Sequence, residues 1–201
     1  MRLSAEEALA LARQAVELTA ADEAEVVVTS GDSALTRFAG NRIHQNVAET
    51  NTQLTVRAVI GKRSGVASTN VLERAPLERC AARAADAARH APEDPAFPGL
   101  PAGTYELLPG RETHSVAAYD AARRAHAAAA IIAPSASHSL TAAGTVAQNL
   151  YSLAVVNSHG AARATSSGDV RATVLTMGTT GGSGWASWLG ADTDGFDPAG
   201  M

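Results

Sequence analysis

Between residues 35 and 69, apolar and polar residues alternate in short runs separated by glycine turns, and this pattern limits the possible folds more than any other feature. Residues 35–39 make one run, Gly40-Asn41 a tight turn, and Ile43, Gln45 and Val47 alternate with Arg42, His44 and Asn46 in the next. Leu54, Val56, Ala58 and Ile60 then alternate with Thr55, Arg57 and Val59, Gly61-Lys62-Arg63 turns the chain, and residues 65–69 return. Period-two alternation belongs to strands with one buried face. Connections this short join antiparallel neighbours, because a parallel pair needs a crossover of about a dozen residues. The expectation is an antiparallel meander in which Val56 faces the core.

Helix signals flank the meander. Ser4 followed by Glu7 is a capping box, and Ala8, Leu11, Ala12, Ala15 and Leu18 form one apolar stripe to about Ala20. Residues 25–29 carry three consecutive valines before the turn residues Ser30-Gly31-Asp32-Ser33, which predicts a separate first strand. Pro76 suits a first helical turn, and Leu77, Cys80, Ala81, Ala84 and Ala88 stripe a helix ending near His90. The proline-rich residues 91–110 read as an irregular connection. A third helix, capped by Ser115, is expected over residues 116–132 with its stop at Pro134. Strands are predicted at 137–147, 150–156, 161–166 and 170–177, split by Ala143-Gly144, Asn157-Ser158-His159-Gly160 and Gly168-Asp169, and no periodic segment in the tail from Gly178. The fold class that follows is α+β, antiparallel strand meanders with three helices packed on the sheet, as residues 1–177 plus a Gly-rich tail, 178–201.

Composition decides which functions to set aside. Forty-five alanines against eight aromatic residues call for a core of small aliphatics with few large anchors. Sixteen basic residues against 20 acidic ones, interspersed along the chain, leave no basic footprint for nucleic acid. The longest apolar run, residues 127–133, is far below the ~20 needed to span a bilayer, so no membrane partner is expected. The early residues Arg2-Leu3-Ser4-Ala5-Glu6-Glu7 turn acidic where a secretory signal begins its apolar segment, and Cys80 is the single cysteine. Both point to a cytoplasmic location.

Catalytic chemistry is sparse. The six histidines, at 44, 90, 114, 126, 138 and 159, are nowhere closer than twelve residues, so no helical metal-binding pair exists. No metal or cofactor site and no catalytic residue is expected in this chain. Cys80 sits on an apolar stripe and reads as a buried, inert thiol. Glu112 and His114 near Tyr119 could do acid/base work, but they lie where a helix begins and Glu complements its dipole. Gly178 to Trp185 is glycine-rich without the Lys and Ser/Thr of a phosphate loop, and reads as a flexible loop or wide hairpin. The remaining candidates are interface residues: Arg42 and His44 on the polar side of a strand, and Trp185 and Trp188 in the tail.

The order of these parts resembles a known family. Residues 35–46, 54–58 and 61–70, with Val155-Val156-Asn157-Ser158-His159-Gly160, Gly182-Ser183-Gly184-Trp185-Ala186 and Asp194, are similar to the amino-terminal domain of the TldD/PmbA (TldE) metallopeptidases, long labelled modulators of DNA gyrase. The resemblance implies proteolysis by a homo-dimer, or a hetero-dimer with a TldD-type subunit, that receives an unfolded peptide in a shared cavity. In the family, zinc is held by a helical H-E-x-x-x-H pair and a distant cysteine in a carboxy-terminal domain. This chain has no such pair, and Cys80 does not correspond, so it is expected to be inactive alone. The Gly-Ser-Gly-Trp-Ala segment looks closer to the zinc-less PmbA/TldE side. The alternative is a stand-alone protein-binding or assembly module with no peptidase role.

Overall fold

The computed structural model describes residues 2–201, with the backbone alone for Tyr105–Leu107; Met1 lies outside the described residues. In chain order the elements are α1 (Ala5–Glu17), β1 (Glu23–Ala39), β2 (Arg42–Ile60), β3 (Arg63–Thr69), α2 (Arg74–His90), β4 (Tyr105–Leu107), α3 (His114–Ala117), α4 (Ala121–Ser137), β5 (Thr141–Asn157), β6 (Ala162–Met177) and β7 (Ser183–Gly190). The sheet order is β3-β2-β1-β5-β6-β4, with β7 also paired to β6, and the class is α+β. β2–β3 and β6–β7 are antiparallel, and the short β4 runs parallel to β6.

The chain divides into two compact units, and β1, β2, β5 and β6 each continue from one into the other. In the first (2–31, 51–110, 151–166), α1 and α2 lay their alanine stripes on the sheet. The capping box of α1 forms: Glu7 N–H donates to Ser4 Oγ at 3.1 Å, and Ser4 N–H to the Glu7 carboxylate at 2.7 Å. α1 ends at Glu17, short of the expected Ala20. Ala8, Ala12 and Ala15 are buried with Val26, Val28, Leu54 and Val56, and all five stripe residues of α2 are buried too. Small side chains allow close approach, and Gly65 lies directly against the α2 backbone at Ala84 and Ala88. The proline-rich connection is tied down: Glu23 Oε2 accepts from Leu100 N–H at 2.6 Å, and Asn157 Nδ2 donates to the Pro101 carbonyl at 2.8 Å.

The second unit (32–50, 111–150, 167–201) packs α3 and α4 against Phe38, Val146, Val170 and Val174. It overturns several sequence expectations. Ser30-Gly31-Asp32-Ser33 is no turn: Ser30 Oγ accepts from Leu3 N–H at 2.9 Å and bonds Thr52 Oγ1 at 2.7 Å, while Thr50 Oγ1 donates to Asp32, so turn-forming side chains are satisfied across strands and β1 continues. The expected break in β2 is likewise absent. Ala143-Gly144 and Gly168-Asp169 fall inside β5 and β6, the second supported by Asn149 Nδ2 donating to Asp169 at 3.0 Å. One expected helix is two, because Thr113 caps α3 and Asp120 caps α4; Ser115 caps neither. Pro134 lies within α4, whose last turn closes beyond it through His138 N–H to the Pro134 and Ser135 carbonyls. β5 accordingly starts at Thr141, not 137. The tail is periodic after all, since residues 183–190 form β7.

Candidate interaction surface

β7 derives its two faces from its register on β6, which sets Trp185 opposite Leu175, Ser187 opposite Thr173 and Leu189 opposite Arg171. Period two sends Trp185 and Leu189 to one face and Ala186 and Trp188 to the other. Trp188 packs into its own unit: its ring stacks on Phe196 at 4.4 Å and 22°, and Phe196 meets Tyr119 at 6.5 Å. Trp185 is 69% exposed and Leu189 60%, beside the exposed Leu175 and Met177. The two tryptophans, three apart, therefore serve opposite faces, and the exposed face carries four large apolar side chains. Gly178 to Ser183 is the wide hairpin that delivers β7, closed by Gly178 N–H to the Gly182 carbonyl at 2.8 Å.

Arg42 and His44 lie in residues 42–51, which are exposed throughout. β3 pairs only with residues 54–60 of β2, so among the described residues this stretch has no strand on its outer side. An open edge offers N–H and C=O groups to an added strand. The structure does not bring Arg42 and His44 together with the tryptophans, because β1, β5 and β6 lie between β2 and β7 in the sheet order.

The same edge carries a constellation that the sequence reading missed. Arg124, on the α4 stripe with Ala127, Ala128 and Ile131, is buried with 3% exposure and has no carboxylate at ion-pair distance among the described residues. Its Nη1 donates to the Tyr119 carbonyl at 3.0 Å and lies 3.5 Å from Gln148 Oε1; its Nη2 donates to Asn46 Oδ1 at 3.3 Å. Asn46 Oδ1 also accepts from the buried Thr36 Oγ1 at 3.3 Å. Arg124 Nε is buried without an acceptor, the one such side-chain atom among the described residues. Burial lowers the Arg124 pKa, opposed by the charge of Asp120 and by Tyr119. An arginine in register with an apolar helical stripe was the available signal.

The other chemical candidates resolve as structural groups. Cys80 is free and buried, and burial raises its pKa, partly offset by Arg83 and the Val56 backbone. Tyr119 is buried, and desolvation raises its phenol, offset by Arg123 and Arg124. Among the described residues no group of three or more His, Cys, Asp or Glu side chains is placed to hold a metal.

Comparisons with known proteins bear on the fold. Residues 24–88 match the family described as PmbA/TldA metallopeptidase domain 1. The fold is similar to TldE from Thermococcus kodakarensis (TM-score 0.75, 16% identity, 92% of this chain and 43% of that one). It is also similar to two proteins described as modulators of DNA gyrase. One is from Thermotoga maritima (0.69, 14%, 89% and 41%), the other from Bacteroides thetaiotaomicron (0.70, 17%, 90% and 44%). At these identities the likeness is one of fold, and the chain spans less than half the length of each. No curated protein matches the chain.

Proposed function

We propose, from the match of residues 24–88 to PmbA/TldA metallopeptidase domain 1, that the chain serves as the amino-terminal, dimerisation and substrate-guiding part of a TldD/PmbA-type metallopeptidase acting in proteolysis. The observation that supports this most directly is the exposed apolar face of β6–β7, where Trp185, Leu189, Leu175 and Met177 stand in water. Covering such a face against a second subunit removes apolar area from water at roughly 25 cal/mol per Å2, which favours pairing. The partner is a second copy or a TldD-type subunit in the cytoplasm, and the substrate is an unfolded peptide. The chain itself, closer to the PmbA/TldE side, contributes no metal ligand, and its part is to bind and orient.

The test combines the purified chain with a zinc-bearing subunit of the same family and an unfolded peptide. Sedimentation should show a complex and cleavage should exceed that of the zinc-bearing subunit alone, with Trp185→Ser weakening both. A chain that stays monomeric with and without that subunit, and leaves cleavage unchanged, overturns the reading in favour of a separate binding module.

A further inference from the structure

We propose that Arg124 and Thr36 form a receptor for a peptide carboxylate at the open edge of β2, a position now filled by the neutral oxygen of Asn46. The first argument is charge. Arg124 is buried and, among the described residues, makes no ion pair: the Asp120 carboxylate acts on it only from beyond pairing distance, with Oδ1 accepting from Arg123 N–H at 2.9 Å, and a buried cation gains from an anion in direct contact. The second is hydrogen bonding. Nη1 is anchored on the Tyr119 carbonyl, and Gln148 beneath it is held by its own Nε2 donating to the Val116 carbonyl at 2.6 Å. The opposite edge of the guanidinium, Nε and Nη2, is the fork whose parallel N–H groups match the two oxygens of a carboxylate. Nε has no acceptor, Nη2 has a 3.3 Å bond to Asn46 Oδ1, and Thr36 Oγ1 donates to that same oxygen at 3.3 Å. Two donors thus share a single neutral acceptor, and Nε, on the same edge of the guanidinium as Nη2, has none. A carboxylate, with two oxygens, offers an acceptor to each of them and sets a negative charge in direct contact with the guanidinium.

The third argument is access. Asn46 is exposed, within the stretch of β2 that has no outer partner, so its amide can swing out without disturbing the core. An extended segment added to this edge gains backbone hydrogen bonds and sets alternate side chains beside Asn46 on the Arg124 side. Edge and cation together therefore select an extended peptide carrying a carboxylate. A trapped water satisfies Nε alone and brings no negative charge into contact. The peptide as carrier rests on the substrate-guiding reading; the receptor itself does not.

The experiment follows the Arg124 Nε–Hε resonance of the 15N-labelled chain, assigned by its loss in Arg124→Lys. The probes are sodium acetate, an end-blocked extended peptide with one Glu, its Gln counterpart, and the Gln peptide with a free terminal carboxylate. Acetate and at least one carboxylate-bearing peptide should shift the resonance, and that peptide should bind about tenfold or more tightly than the blocked Gln form. Comparing the Glu and free-terminus peptides tells which carboxylate is taken. Asn46→Asp, which places a carboxylate there within the chain, should raise Tm and abolish the peptide response. No shift with any carboxylate, equal binding of the blocked Gln peptide, or an Asn46→Asp protein with unchanged Tm and unchanged binding each overturns the proposal. The readout needs no peptidase subunit. Lost cleavage with intact carboxylate binding thus counts against the substrate-guiding reading, and lost binding with intact pairing against the receptor.

Discussion

Val56 is fully buried among Leu54, Ala58 and the alanines of α1 and α2, as its place in the alternating run required. Val56→Asp puts an unpaired carboxylate there and should cost about 3–5 kcal/mol, read from urea midpoints. An unchanged midpoint means that the wrong face is buried. Cys80 offers a pH test. Burial holds its thiol above the usual range, so the folded chain keeps a proton that the unfolded chain releases near about pH 8.5. The associated stability is fully present below that pH and is lost as pH rises through the higher folded value. The stability advantage of the parent over Cys80→Ala should therefore shrink between about pH 8 and 10, and a constant difference would show the thiol to be unshifted. Arg124 belongs to the same scale: residue type and stripe position were plain in the sequence, but the Nε left without an acceptor was not.

At the level of elements, the β1–β2 turn needs left-handed backbone at both central positions, and Gly40 (φ 58°) with Asn41 (φ 60°) are residue types that tolerate it. That local chemistry made the hairpin legible. Gly144 is different, because its glycine is required by a neighbour: a Cβ there would press on the Thr173 carbonyl and stand 2.7 Å from Phe38. Gly144→Ala should destabilise by roughly 1–3 kcal/mol in chemical unfolding, whereas Gly182→Ala, with open space and no left-handed backbone, should be nearly neutral. Equal costs would show that the close approach is relieved by a small shift. A glycine that punctuates a sequence can thus end a strand or permit one, and only the strand across from it decides.

At the scale of the whole molecule, the two tail tryptophans separate association from stability. Trp185→Ser should leave unfolding within about 0.5 kcal/mol while weakening subunit pairing, and Trp188→Ser, which removes the ring stacked on Phe196, should cost roughly 2 kcal/mol. Urea melts beside sedimentation check both, and equal losses of stability would place both rings in the core. Much of the α+β class and the buried faces of α1, α2 and the residues around Val56 were legible in advance, since period, capping and turn chemistry are local properties of neighbouring residues. The lengths of β1, β2, β5 and β6, the docking of β7, the outward turn of Trp185 and the two donors sharing Asn46 Oδ1 were not. Each depends on what lies across the sheet or beneath it, a residue far away in sequence. The sequence by itself determined which side chains turn inward along the well-patterned runs; only the tertiary structure decided where strands end and which polar groups are left without a partner, because both are set by long-range pairing.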